Sequence, residues 1–396
     1  MTRSVTSTNS SYRLSSIDFV RGLVIVIMAL DHIRDLLHTT SLSQDPADLN
    51  TTTPALFFTR WITHFCAPTF VFLAGTSAYL MSKAQNDPSR TRNFLLSRGL
   101  WLILLELTVI CFGIFSDIQF RTFLLQVIFA IGSGFVILSC LLRLPGKVIG
   151  AIGLFIVLLH DALPNPDLSG HKTAEIIWSL FFKRGFFTFG ARGLIIGYPI
   201  VPWLGIMLLG FGFGRAFELD AARRKRLLLL SGSIALFLFV LLRFFNGYGD
   251  SKPWSPQSTP VFSALSFLNV TKYPPSLLYT CMTLSVMFFI LALAEGRDNR
   301  VIRFFITYGR VPMFFYLLHW YFVHASMYVM LLLQGVTWQQ MPLGMMQFGR
   351  PEQGVGLELP YVYLYWAGLI VFMYPLCRWY GRYKAANRHN KWLSYL

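Results

Sequence analysis

Residues 14–38 read LSSIDFVRGLVIVIMALDHIRDLLH, a mostly apolar run with ionisable side chains near both of its ends. A helix that crosses a bilayer needs roughly 20 predominantly apolar residues, and this run is long enough. Ionisable groups inside a membrane segment are costly and indicate a functional site. The stretch therefore predicts a first membrane span at 17–38 that also carries chemistry.

The rest of the chain repeats this apolar pattern. Hydrophobic residues make up 55% of the 396 residues and charged residues only 13%, whereas a soluble domain carries about 25% charged residues. The mean hydropathy of +0.54 also indicates a membrane protein. Nine further spans are predicted at 56–82, 95–115, 122–142, 147–163, 199–217, 227–246, 275–295, 303–334 and 360–381.

The expected fold class is therefore all-α, a polytopic transmembrane bundle of about 10 helices. We expect one transmembrane domain at 17–381, between a polar tail at 1–16 and a basic tail at 382–396. The first tail is too polar for a signal peptide, so the first span should be retained. Pro312 lies inside the long ninth span and predicts that a short helix precedes the true span. Glu106, midway along the third span, is expected to be ion-paired within the bundle.

Basic residues predict the orientation of the bundle. They concentrate in the tails and in the short connections on the N-terminal side, as in the run Arg223 to Arg226. By the positive-inside rule this side is cytoplasmic, so both termini should be cytoplasmic. The net charge of +16 then matches anionic membrane lipids. Nucleic acid is not an expected partner, because no basic patch interleaved with aromatic residues forms a domain. The long loops fall on the opposite side, at 39–55, 164–198, 247–274 and 335–359.

The first span holds the strongest candidate site. Arg21 and His32 are eleven residues apart, so on a helix they lie within about 20° of one face and roughly 16 Å apart along the axis. Asp31 and Asp35 lie next to His32 and one turn beyond it, so either could orient the ring and raise its basicity. The alternatives are that Arg21 snorkels to the interface and that His32 makes an interhelical hydrogen bond.

Later spans add further polar candidates. His64 lies in the outer half of the second span, at a depth where it could meet His32. It could instead be a packing residue near Pro68. Tyr316 and His319 are one helical turn apart in the ninth span and could contact a substrate. No cysteine pair shows metal-ligand spacing, so no metal is expected.

Several of these segments resemble known membrane acyltransferases. Arg21 and His32 form an R-x10-H pattern, which resembles the hallmark of the bacterial acyltransferase-3 family. The segments LSSIDFVRG (14–22) and APTFVFLAG (67–75) are more similar to the heparan-alpha-glucosaminide N-acetyltransferase-like proteins. The segments KYPPSL (272–277) and GRVPMFFY (309–316) are similar to later parts of bacterial members of that branch.

The resemblance implies a membrane-embedded acyltransferase. Such enzymes take an acyl group from cytosolic acyl-CoA, here expected to be acetyl-CoA, and transfer it to a sugar or glycan on the far side. The catalytic histidine of the lysosomal enzyme lies in the loop after the first helix, where His38 is the nearest candidate in this chain. The choice between His32, His38 and His64 therefore stays open, as do the acceptor, the acyl length and the oligomeric state.

Acyl transfer needs a general base at the acceptor and a donor for the developing oxyanion. We assign the base to His32, with Asp31 and His64 as further catalytic residues, and acyl-CoA binding to Arg21 and Arg310. The possible oxyanion or substrate contacts are Tyr316, His319 and Asp35. The chain has no G-x-S-x-G elbow, which favours direct transfer over an acyl-serine intermediate. The alternative functions are a transporter or flippase for a small molecule or lipid-linked sugar, and a non-catalytic assembly factor.

The predicted topology can be tested with a reporter that fluoresces only in the cytoplasm. Because the basic connections favour the cytoplasmic side, a fusion of this reporter after Leu396 should fluoresce. A reporter active only in the periplasm serves as the paired control and should be silent at the same position. The opposite pattern would reverse the orientation.

Overall fold

The computed structural model describes residues 15–387, 389, 390 and 393. Most of the predicted N-terminal tail and part of the basic C-terminal tail lie outside these residues. The first helices are Ser15–Leu37 (α1), Pro54–Thr63 (α2), Cys66–Gln85 (α3), Pro88–Leu105 (α4), Cys111–Phe115 (α5), Val127–Leu141 (α6), Gly146–Leu159 (α7) and Lys172–Phe181 (α8). The later helices are Ile200–Phe213 (α9), Ala221–Phe245 (α10), Pro260–Leu268 (α11), Leu277–Ala294 (α12), Arg300–Gly309 (α13), Pro312–Leu333 (α14) and Leu359–Ala386 (α15).

Seven helical stretches of the described chain are long and apolar enough to cross a membrane. The chain is therefore an integral membrane protein. Helices occupy all ten predicted positions. Three of them do not meet the requirements of length and composition for a membrane span, because α1 carries too many charged residues and α6 and α7 are too short. The expected total of about ten spans and the cytoplasmic termini stay predictions. The seven stretches are Pro54–Gln85, Pro88–Phe115, Ile200–Glu218, Ala221–Phe245, Leu277–Ala294, Pro312–Leu333 and Leu359–Ala386.

A small sheet corrects the all-α expectation. Thr122–Leu125 (β1) pairs in parallel with Arg192–Ile196 (β3), which pairs antiparallel with Gly185–Phe189 (β2). The predicted span at 122–142 is therefore wrong at its start, and the predicted loop at 164–198 contains α8, β2 and β3. The physical reason is that a short apolar run has no periodicity that separates a strand from a buried helix.

Two polar or helix-breaking residues in the spans have local structural roles. Two residues separate the end of α13 from Pro312, which begins α14, and this confirms the predicted helix break. Proline fits the first helical turn because the N–H there has no partner to lose. Glu106 lies in a π-helical turn, and its carboxylate accepts the backbone N–H groups of Gln126 and Phe129 at 3.2 and 3.1 Å. It thus caps α6, instead of making the predicted ion pair.

Helix α1 lies in the middle of the bundle. It packs against α2, α3, α12, α13, α14 and α15. Its buried residues include Asp18, Asp31 and Arg34. Protein therefore surrounds these three ionisable side chains, as the cost of a charge in hydrocarbon requires.

Two glycines allow α1 and α13 to approach closely. A Cβ atom on Gly22 would lie 1.8 Å from the carbonyl oxygen of Phe305, and one on Gly309 would lie 1.8 Å from the carbonyl oxygen of Asp18. Small residues at such contacts are typical of membrane helix packing. The two segments DFVRG and GRVP, which are far apart in sequence, are thus packed backbone to backbone.

Replacing Gly309 by alanine tests this contact. The new methyl group would overlap a backbone carbonyl, and overpacking of this kind costs about 1–3 kcal/mol. We expect Gly309→Ala to lower the thermal midpoint of the purified protein, measured by size-exclusion chromatography after heating. Gly368→Ala is the matched control, because its Cβ would meet nothing within 4 Å. Equal midpoints for the two variants would contradict the close packing.

Candidate active site

A pair of histidines joins α1 to α14. The Nδ1 of His32 lies 2.7 Å from the Nε2 of His319, and the Nδ1 of His319 lies 3.2 Å from the carbonyl oxygen of Phe315. A carbonyl only accepts hydrogen bonds, so His319 carries its proton on Nδ1 and accepts on Nε2. The Nδ1–H of His32 is then the donor of the shared bond. The Nε2 of a neutral His32 therefore keeps a lone pair that can take a proton.

The ring of His32 is held by its aromatic neighbours. Trp320 stacks on it with ring centroids 4.1 Å apart, and Tyr316 meets it edge-on at 6.2 Å. His319 is fully buried, whereas His32 is only partly buried. The His32 ring is thus fixed in orientation but not fully enclosed.

One cavity lies beside the N-terminal half of α1, and we name it the inner cavity. It has a volume of about 390 Å³ and a mainly apolar lining from α1, α3, α4, α6 and α14. Its basic lining residues are Arg21 and Arg98, and Tyr316 lines it as well. The Tyr316 hydroxyl is buried and has no hydrogen-bond partner among the described residues. It is available to a ligand that reaches this part of the cavity.

A second, polar cavity, the outer cavity, lies on the side of the long loops. Its volume is about 730 Å³, and its lining includes Arg60 and His64 at the end of α2, and Lys272 and Tyr273 before α12. Neither histidine of the pair is among the residues that line the two cavities, but His32 is linked to a wall residue of each. Tyr316 of the inner cavity contacts the ring of His32, and Asp31, the residue before His32, binds Arg60 of the outer cavity.

The carboxylates near His32 bind arginines. Asp31 pairs with Arg34 at 2.9 Å and with Arg60 at 2.5 Å, and Asp35 pairs with Arg34. The expectation that Asp31 or Asp35 orients the His32 ring is thus wrong, because His319 makes that bond. The sequence shows His319 one helical turn after Tyr316, but it does not indicate that His319 pairs with His32. Buried guanidinium groups need anionic partners, which accounts for the position of Asp31.

The other candidate histidines are separate from this pair. His64 is buried in the wall of the outer cavity, where its carbonyl accepts the Tyr279 hydroxyl at 2.7 Å and its Nδ1 has no partner among the described residues. The rings that contact His32 come from α14, so the predicted meeting with His64 is wrong. His38 follows α1, accepts a hydrogen bond from the Thr40 backbone and lies outside the lining of both cavities.

The two arginines assigned to acyl-CoA differ in position. Arg21 lines the inner cavity and donates from Nη2 to the Leu73 carbonyl at 3.1 Å and to the Ser77 hydroxyl. Arg310 is mostly exposed, and its Nε lies 3.9 Å from Asp18. Arg310 is two residues from Pro312, which lines the inner cavity. Arg21 is therefore the better placed of the two for a ligand in this cavity.

Comparison with known proteins supplies one match. The family model described as "Heparan-alpha-glucosaminide N-acetyltransferase, catalytic" matches residues 13–242, which is more than half of the chain. The matched segment includes His32, Arg21 and His64, whereas Tyr316 and His319 lie beyond it. A search of curated proteins finds none that matches the chain.

Proposed function

The chain belongs to the heparan-alpha-glucosaminide N-acetyltransferase catalytic family, and on that premise we propose which groups it transfers and how. The family indicates a membrane acetyltransferase and a glycan acceptor, and its members use acetyl-CoA as donor. We propose that acetyl-CoA enters the inner cavity from the cytosol and that the sugar or glycan acceptor enters the outer cavity. The observation that carries this proposal is that the His32–His319 pair is linked to wall residues of both cavities, to Tyr316 by a ring contact and to Arg60 through Asp31.

His32 acts as the general base in this proposal. Its Nε2 takes the proton of the acceptor hydroxyl or amine as that group attacks the thioester carbonyl. The tetrahedral intermediate then collapses, the carbon–sulfur bond breaks, and the imidazolium returns the proton to the departing thiolate of CoA. The products are the acetylated sugar and free CoA. His319 is a positioning residue, because its acceptor nitrogen holds the Nδ1–H of His32 and leaves Nε2 for the acceptor.

Tyr316 is our proposed donor to the oxyanion. Its buried hydroxyl has no partner among the described residues, and its ring contacts His32. A preorganised donor in a site that excludes water stabilises the developing charge more strongly than it would in water. Burying a hydroxyl without a hydrogen-bond partner costs free energy, and a partner atom on the substrate would remove that cost.

Arg21 is our proposed contact for the phosphates of CoA. Arg21 and Arg98 are the basic residues of the inner cavity, whose lining is mainly apolar. The axial separation of roughly 16 Å between Arg21 and His32 is comparable with an extended pantetheine arm. The nucleotide can then stay at the cytoplasmic end while the thioester reaches His32.

Removal of His32 tests the chemical step. With detergent-purified protein, labelled acetyl-CoA and a glucosamine-terminated oligosaccharide, we expect acceptor-dependent release of free CoA thiol. His32→Ala should lower this turnover by roughly 10²–10⁴-fold, the usual contribution of general acid–base catalysis. His319→Ala should lower turnover less, because His32 is still present but its ring is no longer held in one orientation.

His324→Ala is the matched control, since His324 is a buried histidine of α14 outside both cavity linings. A folded His32→Ala protein with near-normal turnover would exclude His32 as the base and favour His38 or His64. If the unaltered protein releases no CoA thiol with any acceptor, the alternative function as a transporter would be favoured instead.

Substitution of Arg21 tests the donor site. Arg21→Lys keeps the charge but loses the planar fork that binds phosphate, so acetyl-CoA should bind more weakly in a calorimetric titration. Arg21→Ala should lose about 1.5–3 kcal/mol, the contribution of a charge-assisted hydrogen bond. Arg303→Ala is the control, because Arg303 is exposed and pairs with Asp298. Unchanged affinity in both Arg21 variants would leave Arg21 as an interface anchor, since lysine snorkels as well as arginine.

A further inference from the structure

The segment between α7 and α9 carries an exposed apolar patch. Ile177 of α8 is 54% exposed, and in β2 Phe186 is 48% and Phe189 50% exposed. Phe181 at the end of α8 is exposed as well. We name these four residues the hairpin patch. Water solvates such apolar groups poorly, and exposed apolar patches are typical of surfaces that bind a protein or a membrane.

The opposite face of this segment is packed, so the hairpin patch is held in a fixed position. Phe187 of β2 is buried in a small core with Ile196 of β3 and Phe129 of α6. The ammonium group of Lys172 in α8 binds the carbonyl oxygen of Thr188 and lies 4.4 Å from the centroid of the Phe189 ring. Helix α8 and strand β2 therefore form one rigid surface.

The hairpin patch lies close to the start of a membrane-spanning stretch. Three residues separate the end of β3 from Ile200, where a stretch long and apolar enough to cross a membrane begins. Helix α8 packs against α9 as well as against β2. The buried face of the sheet contacts the first turns of α6 and α9, through Phe129 and Ile200. The segment is thus placed where the chain enters the membrane-spanning part of the bundle.

Basic residues surround the hairpin patch. Residues 172–192 include four lysines or arginines and a single acidic residue, Glu175. Large apolar side chains next to Lys and Arg are typical of elements that lie in a membrane interface, where the apolar groups reach the acyl chains and the cations meet lipid phosphates. The four basic residues are Lys172, Lys183, Arg184 and Arg192.

The same charge argues against a second copy of this chain as the partner. In a two-fold dimer one surface patch meets its own copy. The basic residues of the two copies would then face each other, and like charges across an interface are unfavourable. Anionic lipid headgroups would neutralise these residues instead.

We propose that the hairpin patch inserts into the lipid interface on the side of the long loops, and that Lys183 and Arg192 bind the phosphate groups of anionic lipids there. Lys172 already binds the Thr188 carbonyl, and Arg184 lies over the Tyr273 ring, 4.9 Å from its centroid. Arg184 also lines the outer cavity. The lipid-bound segment therefore forms part of the wall of that cavity.

A depth measurement tests the apolar contact. In a Cys140→Ser background, which removes the exposed cysteine of the described chain, a fluorophore is attached at Ile177→Cys or at Phe186→Cys. The full-length protein is reconstituted into nanodiscs with nitroxide-labelled lipids. Both fluorophores should be quenched from about 5–10 Å inside the boundary between headgroups and acyl chains. Glu352→Cys is the control, because Glu352 is exposed in another long loop and should be quenched only by aqueous iodide.

A comparison of two lipids tests the charged contact. The fluorophore at Ile177→Cys is quenched with nitroxide-labelled phosphatidylglycerol or phosphatidylcholine at equal mole fraction and low salt. The preference for phosphatidylglycerol should fall about 5-fold for each charge removed in Lys183→Gln and Arg192→Gln. Lys225→Gln with Arg226→Gln is the matched control and should keep the preference, because both residues are exposed at the start of α10, near the opposite end of α9.

Three results would overturn the proposal. Quenching of both fluorophores by iodide but not by lipid nitroxides would place the hairpin patch in water. Protection from both quenchers would indicate a protein partner, such as a second copy of this chain. Equal quenching by the two lipids, or a preference that survives Lys183→Gln and Arg192→Gln together, would exclude the headgroup contact.

Discussion

A charged helix can cross a membrane only when protein encloses it, because hydrocarbon cannot solvate ions. Helix α1 meets this condition through six neighbouring helices and through the network in which Asp31 binds Arg34 and Arg60. The glycine contact between α1 and α13 brings the backbones close enough for this enclosure. The positions of Arg21 and His32, and with them both cavities, depend on this packing.

The enclosure of α1 also places one pair of histidines next to two cavities of different character. The inner cavity is mainly apolar with arginines on its wall, and the outer cavity is polar. The histidine pair next to them has a defined tautomer, because the Phe315 carbonyl can only accept. In the proposed function the donor and the acceptor would approach His32 from opposite sides, and neither would cross the bilayer.

Buried arginines organise the long loops. Arg243 binds the carbonyl oxygens of Ser266, Phe267 and Asn269, and thereby holds the end of α11. Arg350 binds the carbonyl of Leu36 at the end of α1, and burial lowers its pKa to about 10. Helix ends leave carbonyl groups without partners, and guanidinium groups satisfy several of them at once. Long loops can therefore be ordered with little apolar core.

Hydropathy, proline geometry and helical periodicity are local properties. They were therefore enough to predict a membrane protein, a helix break before Pro312, and a common helix face for Arg21 and His32. The family was also recognisable from short segments. The folded chain was needed to show that His319 bonds to His32, that Asp31 pairs with Arg60, that Glu106 caps α6, and that Thr122–Leu125 forms a strand. These are contacts between residues distant in sequence, and a side chain's partner depends on which helices pack together. Local periodicity cannot encode that choice.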